Sequence, residues 1–229
     1  MDLKLLFLIL ILPVLGYSQN SDEVWVDYNL NYILNKKVAI FGDVGYRFAT
    51  NRDVVLIRPS VKYTFSNSFI VMGGLGNFYA FNLPSSEKIY EFRPWQGVRV
   101  IWPQKSSFFS LKHFVRFEQQ FVYNNLIKDD FIGILRIRYQ IGTEIDIWSN
   151  PSGTFGISIP LEYEIFHSFG DSNYFIQRDR IIGGIVFEFR KGWKLELNYT
   201  IQRAGEGYAD LSPDIGIYRI RLKHTLLNK

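Results

Sequence analysis

No cysteine occurs among the 229 residues. That absence excludes a disulfide framework, a thiolate nucleophile and a lipidated N-terminal cysteine. Histidine is nearly absent as well: His113, His167 and His224 are its only occurrences, and nothing around them has the spacing of a metal site. No stretch after Leu15 approaches the ~20 continuous apolar residues that a transmembrane helix needs. Helical periodicity is missing from the same region. A phosphate loop is missing too, because the "GGLG" of Gly73 to Gly76 follows an apolar strand pattern and opens no helix; these glycines read as a strand bend or as space for a bulky neighbour. The formal charge is +4, yet the basic residues alternate along the chain instead of clustering, so no nucleic-acid partner is expected. No cofactor or metal is expected either. The hydrophobic share of 47% excludes wholesale disorder and a helical membrane bundle.

What is present begins with "MDLKLLFLILILPVLGYSQN": Lys4, an apolar run from Leu5 to Leu15, then the small residues Gly16 and Ser18. This predicts a cleaved signal peptide over 1–18, the run being too short for a membrane anchor. The remainder, 19–229, is expected to be one exported domain.

Period two governs that remainder. In "ILRIRYQIGTEIDIW", Arg136, Arg138, Gln140, Gly142, Glu144 and Asp146 share one parity, and Leu135, Ile137, Tyr139, Ile141, Ile145 and Ile147 the other. Successive side chains of a strand point to opposite faces, so this strand has an apolar side and a charged side. Comparable segments run from Asp22 to Leu34, Val38 to Phe48, Val54 to Phe65, Phe69 to Phe81, Tyr90 to Trp102, Phe108 to Tyr123, Phe131 to Ile147, Thr154 to Phe166, Phe175 to Arg190, Trp193 to Arg203 and Ile215 to Leu226. Many are much longer than the usual soluble strand of about five or six residues. The pattern predicts an all-β fold: one antiparallel up-and-down transmembrane β-barrel. Eleven segments conflict with the even strand number of bacterial single-chain barrels. Ten strands are expected if the first segment does not pair fully, and twelve if a long one hides a turn.

Connections alternate between short (Asn35-Lys36, Ser66-Asn67, Pro103 to Ser107, Trp148 to Gly153, Lys191-Gly192) and mostly longer ones (Ala49 to Asp53, Asn82 to Lys88, Asn124 to Asp130, His167 to Tyr174, Ala204 to Asp214). Short periplasmic turns and longer external loops have this asymmetry. Aromatic residues reach 17% and gather at both ends. Phe65, Phe69, Trp102, Phe108, Trp148, Phe155, Phe189 and Trp193 flank the short turns. Tyr46, Phe48, Phe78, Tyr79, Tyr90, Phe92, Phe121, Tyr123, Phe131, Tyr163, Phe166, Tyr174 and Phe175 lie toward the loops. Two belts of this kind are expected at the lipid headgroups.

The charged parity carries sixteen basic and ten acidic residues. Its candidate lumen network is Glu91, Arg93, Arg99, Arg116, Glu118, Arg136, Arg138, Glu144, Glu162, Glu164, Arg178, Arg180, Glu188 and Glu196. Inside a closed barrel of this size such side chains pair across strands and fill the space, predicting a plugged or narrow lumen. The basic excess favours anions in any passage. The functional expectation is a structural or narrow-passage barrel of the outer membrane of a Gram-negative bacterium. It would be monomeric, with membrane lipid and the barrel-assembly machinery as its partners and no catalysis. One alternative is a lipid-modifying barrel enzyme, for which His167 and Ser168 are the best local pair, with Glu164 and Asp171 nearby. Adjacent strand side chains diverge, which argues against that pair. Another alternative is a soluble periplasmic barrel with an apolar ligand inside.

"YEFRPWQGV" from Tyr90, "FVRFEQQF" from Phe114, "LRIRYQI" from Leu135, "LEYEIF" from Leu161, "FIQRDRIIGGIVF" from Phe175 and "WKLELNYTIQR" from Trp193 together resemble a Gram-negative family of exported proteins defined by a domain of unknown function. The resemblance covers the mature chain and implies an outer-membrane β-barrel. It makes Glu91, Arg93, Arg116, Glu118, Arg136, Arg138, Glu162, Arg178 and Arg180 recurring interior charges, and it implies no activity. The chain departs from many such barrels in ending "HTLLNK", without a final aromatic residue.

Overall fold

The structure is a computed structural model that describes residues 23–50, 52–83, 88–102, 110–124, 131–152, 154–169, 178–204 and 215–227. The expected signal peptide, Phe108, Tyr174 and Phe175 lie outside the described residues. Eleven strands follow one another: β1 (Glu23–Ile33), β2 (Val38–Ala49), β3 (Arg52–Ser66), β4 (Phe69–Phe81), β5 (Ile89–Ile101), β6 (Lys112–Asn124), β7 (Phe131–Ser149), β8 (Gly156–Phe169), β9 (Arg178–Arg190), β10 (Trp193–Ala204) and β11 (Ile215–Leu227). Each pairs antiparallel with its neighbour in sequence, and β1 closes the barrel against β11.

That closure corrects the expected parity. β1 pairs along its whole length, Glu23 with Ile217 through Ile33 with Leu227, and the pairing is parallel. The reason is geometric: in an up-and-down sheet direction alternates, so the first and eleventh strands run the same way. Parallel ladders have slanted hydrogen bonds and are slightly weaker per residue, and side chains fasten this seam on both faces. Outside, Tyr28 Oη and His224 Nδ1 lie 3.0 Å apart, while Trp193 stacks on His224 at 3.8 Å. Inside, Arg219 Nε donates to Asp27.

The expected turn asymmetry holds with two exceptions. β5 and β6 are separated by 102–111, which is not a tight turn, and β2 and β3 by 50–51, which is. The other short connections lie at the end opposite 82–88, 125–130, 170–177 and 205–214.

Register settles which side of each strand faces in. Apolar rows point outward, with Val44 and Ile57 each 51% exposed, whereas Trp25, Asp27, Glu118, Glu164 and Glu196 are buried inside. On the outward rows of the described residues the charged side chains are Asp53, Asp179 and Arg203, all at the loop end. Small residues make room within. A Cβ on Gly45 would meet Asp27 Oδ1 at 2.2 Å, and one on Gly76 would meet the Phe78 ring at 2.9 Å. The space reading of the "GGLG" stretch therefore applies to Gly76.

Phe65, Phe69, Trp102, Trp148, Phe155 and Trp193 stand at the turn end; Trp102 is 69% exposed, and Trp148 lies against Phe155 at 5.8 Å. The loop-side belt needs correction. Phe78 and Phe166 are each 5% exposed and point into the lumen, because they fall on the inward parity opposite Leu56 and Arg138.

Candidate functional site

A layer of paired charge, the septum, occupies the middle of the lumen. Glu118 on β6 is fully buried and takes cations from three strands. Its Oε1 lies 2.5 Å from Arg116 and 3.0 Å from Arg138. Its Oε2 accepts from Arg136 Nε at 2.7 Å and faces Arg93 at 3.6 Å. Cross-strand register explains the cluster: Glu118 stands opposite Arg136 and beside Trp95, and Arg116 stands opposite Arg138. Two arginines facing one another are tolerable only because the carboxylate next to them serves both.

From Glu118 the network runs around the wall. Arg93 donates to Glu91 at 2.6 Å. Arg138 donates through Nε and Nη2 to Glu164 at 2.9 and 2.6 Å. Glu164 faces Arg180 at 3.6 Å, and Arg180 Nε donates to Gln202 Oε1 at 2.6 Å. Across the lumen, Arg58 donates to Asp43 through Nε and Nη2 at 3.0 and 2.5 Å, and Glu196 accepts from Arg221 at 2.9 Å and is paired with Lys223.

Aromatic faces complete the septum. Arg47 lies 4.0 Å over Trp25, Arg93 4.2 Å over Phe78, Arg116 4.4 Å over Trp95 and Arg180 5.0 Å over Phe166. A guanidinium stacked on a ring in a desolvated site is held by the ring's quadrupole, so these aromatics stand where further carboxylates would otherwise be needed.

Of the sequence-derived network, Glu91, Arg93, Arg116, Glu118, Arg136, Arg138, Glu164 and Arg180 form one connected group. Glu196 belongs to the β10–β11 wall. Nearer the turns, Glu144 faces Lys112 at 3.4 Å and accepts from Ser158 at 2.7 Å, Glu162 accepts from Gln140 at 2.6 Å, and Glu188 faces Lys194 at 3.3 Å. Arg99 lies 5.4 Å over Phe114, and Arg178 faces the loop-side cavity. Sequence reading missed Glu23, which accepts from Trp25 Nε1 at 2.7 Å, and the inward rings of Trp25, Phe78, Trp95 and Phe166. The signal was available for Trp25, Trp95 and Phe166, which share the charged parity of their strands; β4 carries no charged residue, so nothing in its pattern marks Phe78 as inward.

Among the described residues, cavities lie on the turn side and the loop side of this charge layer. The turn-side one has a volume of about 380 Å³ and mixed charge, with Arg99, Lys112 and Lys223 facing Glu144, Glu162 and Glu196. The loop-side one is about 190 Å³. Trp25 and Arg180 border both.

His167 is exposed on the outward face and its neighbour Ser168 is buried in the lumen wall, so the two side chains diverge as adjacent strand residues do. His113 faces outward, with Nδ1 2.9 Å from Tyr139 Oη. Among the described residues no three metal-ligating side chains are grouped to hold an ion.

The family model described as "Protein of unknown function (DUF2490)" matches residues 22–207. No curated protein matches the chain. Among solved structures, the chain is similar to the siderophore receptor PirA from Pseudomonas aeruginosa, with a TM-score of 0.33 and 10% identity over 76% of this chain. The match covers 34% of that receptor, well under its whole length.

Proposed function

We propose, for a chain that belongs to the DUF2490 family of proteins of unknown function, the role of a monomeric outer-membrane barrel whose lumen is shut at mid-height. Its work is structural, or limited to narrow passage. The outward apolar rows support a lipid environment, since a water-facing surface of this extent would be an aggregation hazard. The turn-side belt of aromatics supports placement of that end at the headgroups. With the short turns toward the periplasm, the chain's last strand ends on the periplasmic side. Partners under this reading are the surrounding lipid and the machinery that inserts barrels.

The observation that carries the closed lumen is Glu118, fully buried with four arginines around it. A water-filled pore through the same point would hydrate that carboxylate. Among the described residues the interior cavities are lined largely by charged side chains, which weighs against the soluble-carrier alternative.

Two measurements test the reading. Cell fractionation should find the protein in the outer membrane with heat-modifiable gel mobility; recovery as a soluble periplasmic protein would end the proposal. In planar bilayers the reconstituted barrel should give little or no current, with any residual current favouring anions because basic residues outnumber acidic ones on the inward rows. A large, steady, cation-selective conductance is the opposite result and would refute a septum.

A further inference from the structure

We infer that the loop-side cavity is a binding site for a phosphate group, carried by free phosphate or by the headgroup of a small lipid. Among the described residues its lining contains the guanidiniums of Arg47, Arg52, Arg136, Arg178 and Arg180 and the carboxylate of Glu23; Arg136 and Arg180 are already served by Glu118 and Glu164 outside the lining, so the inference rests on Arg47 and Arg52. The turn-side cavity balances its cations with several carboxylates; this one does not.

Arg47 is the centre of the imbalance. Its guanidinium stacks on Trp25, and its Nε is buried without a hydrogen-bond partner. The guanidiniums of Arg180 and Arg219 lie over the same Trp25 ring, at 5.6 and 5.4 Å. A buried cation surrounded by like charges is costly unless an anion joins it. Arg52 adds a second available donor: its side chain is 53% exposed and lies 3.6 Å from Glu23, beyond hydrogen-bonding range.

The ligand class follows from shape and charge. Guanidinium forks match the paired oxygens of a phosphate, and several forks converging on one space suit a dianion with oxygens on every side better than a single carboxylate. A volume of about 190 Å³ admits a phosphate-sized group and excludes anything as large as a nucleotide from the chamber. Under the closed-lumen reading the site has its blind end at the charge layer, whose Arg136 and Arg180 line it. It deepens the closed-lumen reading and rests on it for that blind end; bilayer current tests the septum, whereas the following titrations test the site.

Calorimetric titration of the full barrel in a non-ionic detergent, with inorganic phosphate and separately with dihexanoyl phosphatidic acid, should give saturable binding of at least one of them. Sodium chloride at equal ionic strength should give none. Arg47→Gln should weaken binding by about tenfold or more, the scale of a charge-assisted hydrogen bond. Arg52→Gln, at a half-exposed position that the fold does not need, should weaken it in the same direction if Arg47→Gln cannot be refolded. Lys112→Gln, in the other cavity, should leave it unchanged. Binding of phosphate and phosphatidic acid alike identifies the free anion as sufficient, and binding of phosphatidic acid alone assigns the source to a lipid headgroup. No saturable binding of either, or equal losses with Lys112→Gln, overturns the site.

Discussion

Glu118→Ala should destabilise the barrel by about 3–5 kcal/mol, because removing one partner of a buried ionic cluster leaves the other charges uncompensated. Here the remainder comprises the guanidiniums of Arg93, Arg116, Arg136 and Arg138, with only Glu91 and Glu164 left to serve two of them. The loss should be read from urea titration of the reconstituted protein, following the heat-modifiable band. Glu118→Gln keeps the side chain's volume and its carbonyl acceptor while removing its charge, so it should fall between wild type and alanine. Stability of the alanine variant within about 0.5 kcal/mol of wild type, the range of an ordinary surface substitution, would show that Glu118 is hydrated and the septum wrongly drawn. Any variant that does assemble should also pass more current, since the arginines it frees repel one another.

Ile141→Arg places a charge on the outward face of β7, where Ile141 stands between His113 of β6 and Tyr163 of β8. In hydrocarbon the cost is about 2–4 kcal/mol near the midplane, falling toward the interfaces, and the folded fraction after insertion into vesicles should drop accordingly. The inward partner is Arg138. Arg138→Leu strips Glu118 of one cation and Glu164 of its closest one, at an expected cost of up to about 3–5 kcal/mol. A soluble barrel with its greasy side inward would reverse the second result, since Arg138 would then lie on a solvated face and cost about 0.5 kcal/mol. Lipid-soluble quenchers should reach a probe at 141 and miss one at 138; water access at 138 combined with a lipid-inaccessible 141 would sink the assignment of faces.

Much of the architecture was legible from period two alone. β7 was expected over Phe131 to Ile147 and runs Phe131–Ser149; β10 was expected over Trp193 to Arg203 and runs Trp193–Ala204. Strand ends drifted where alternation gives no stop signal: β8 continues past Phe166 to Phe169. In the site, parity identified the inward charges, yet pairing was beyond it. From sequence alone Glu118 and Glu162, on the flanking strands, are the carboxylates offered to Arg138. Register makes the second one Glu164, because β8 is offset so that Gln140 faces Glu164 and Gly142 faces Glu162, and the long Arg138 side chain reaches diagonally to Glu164. Phe166 lies near a strand end yet shares the charged parity of β8 and turns inward, whereas only register against β3 places Phe78 inside.

The sequence by itself determined the alternation, and with it an all-β chain with one apolar and one charged face on every strand but the uncharged β4, since side-chain direction in a strand depends only on odd or even position. Tertiary structure alone decided the closure, the parallel seam of an eleven-strand barrel and the gathering of four arginines on one carboxylate. Those depend on strand register and curvature, long-range quantities that bring Asp27 to Arg219 and Glu118 to Arg138. Local pattern specifies what each strand offers to the interior; only the closed sheet specifies which charge meets which.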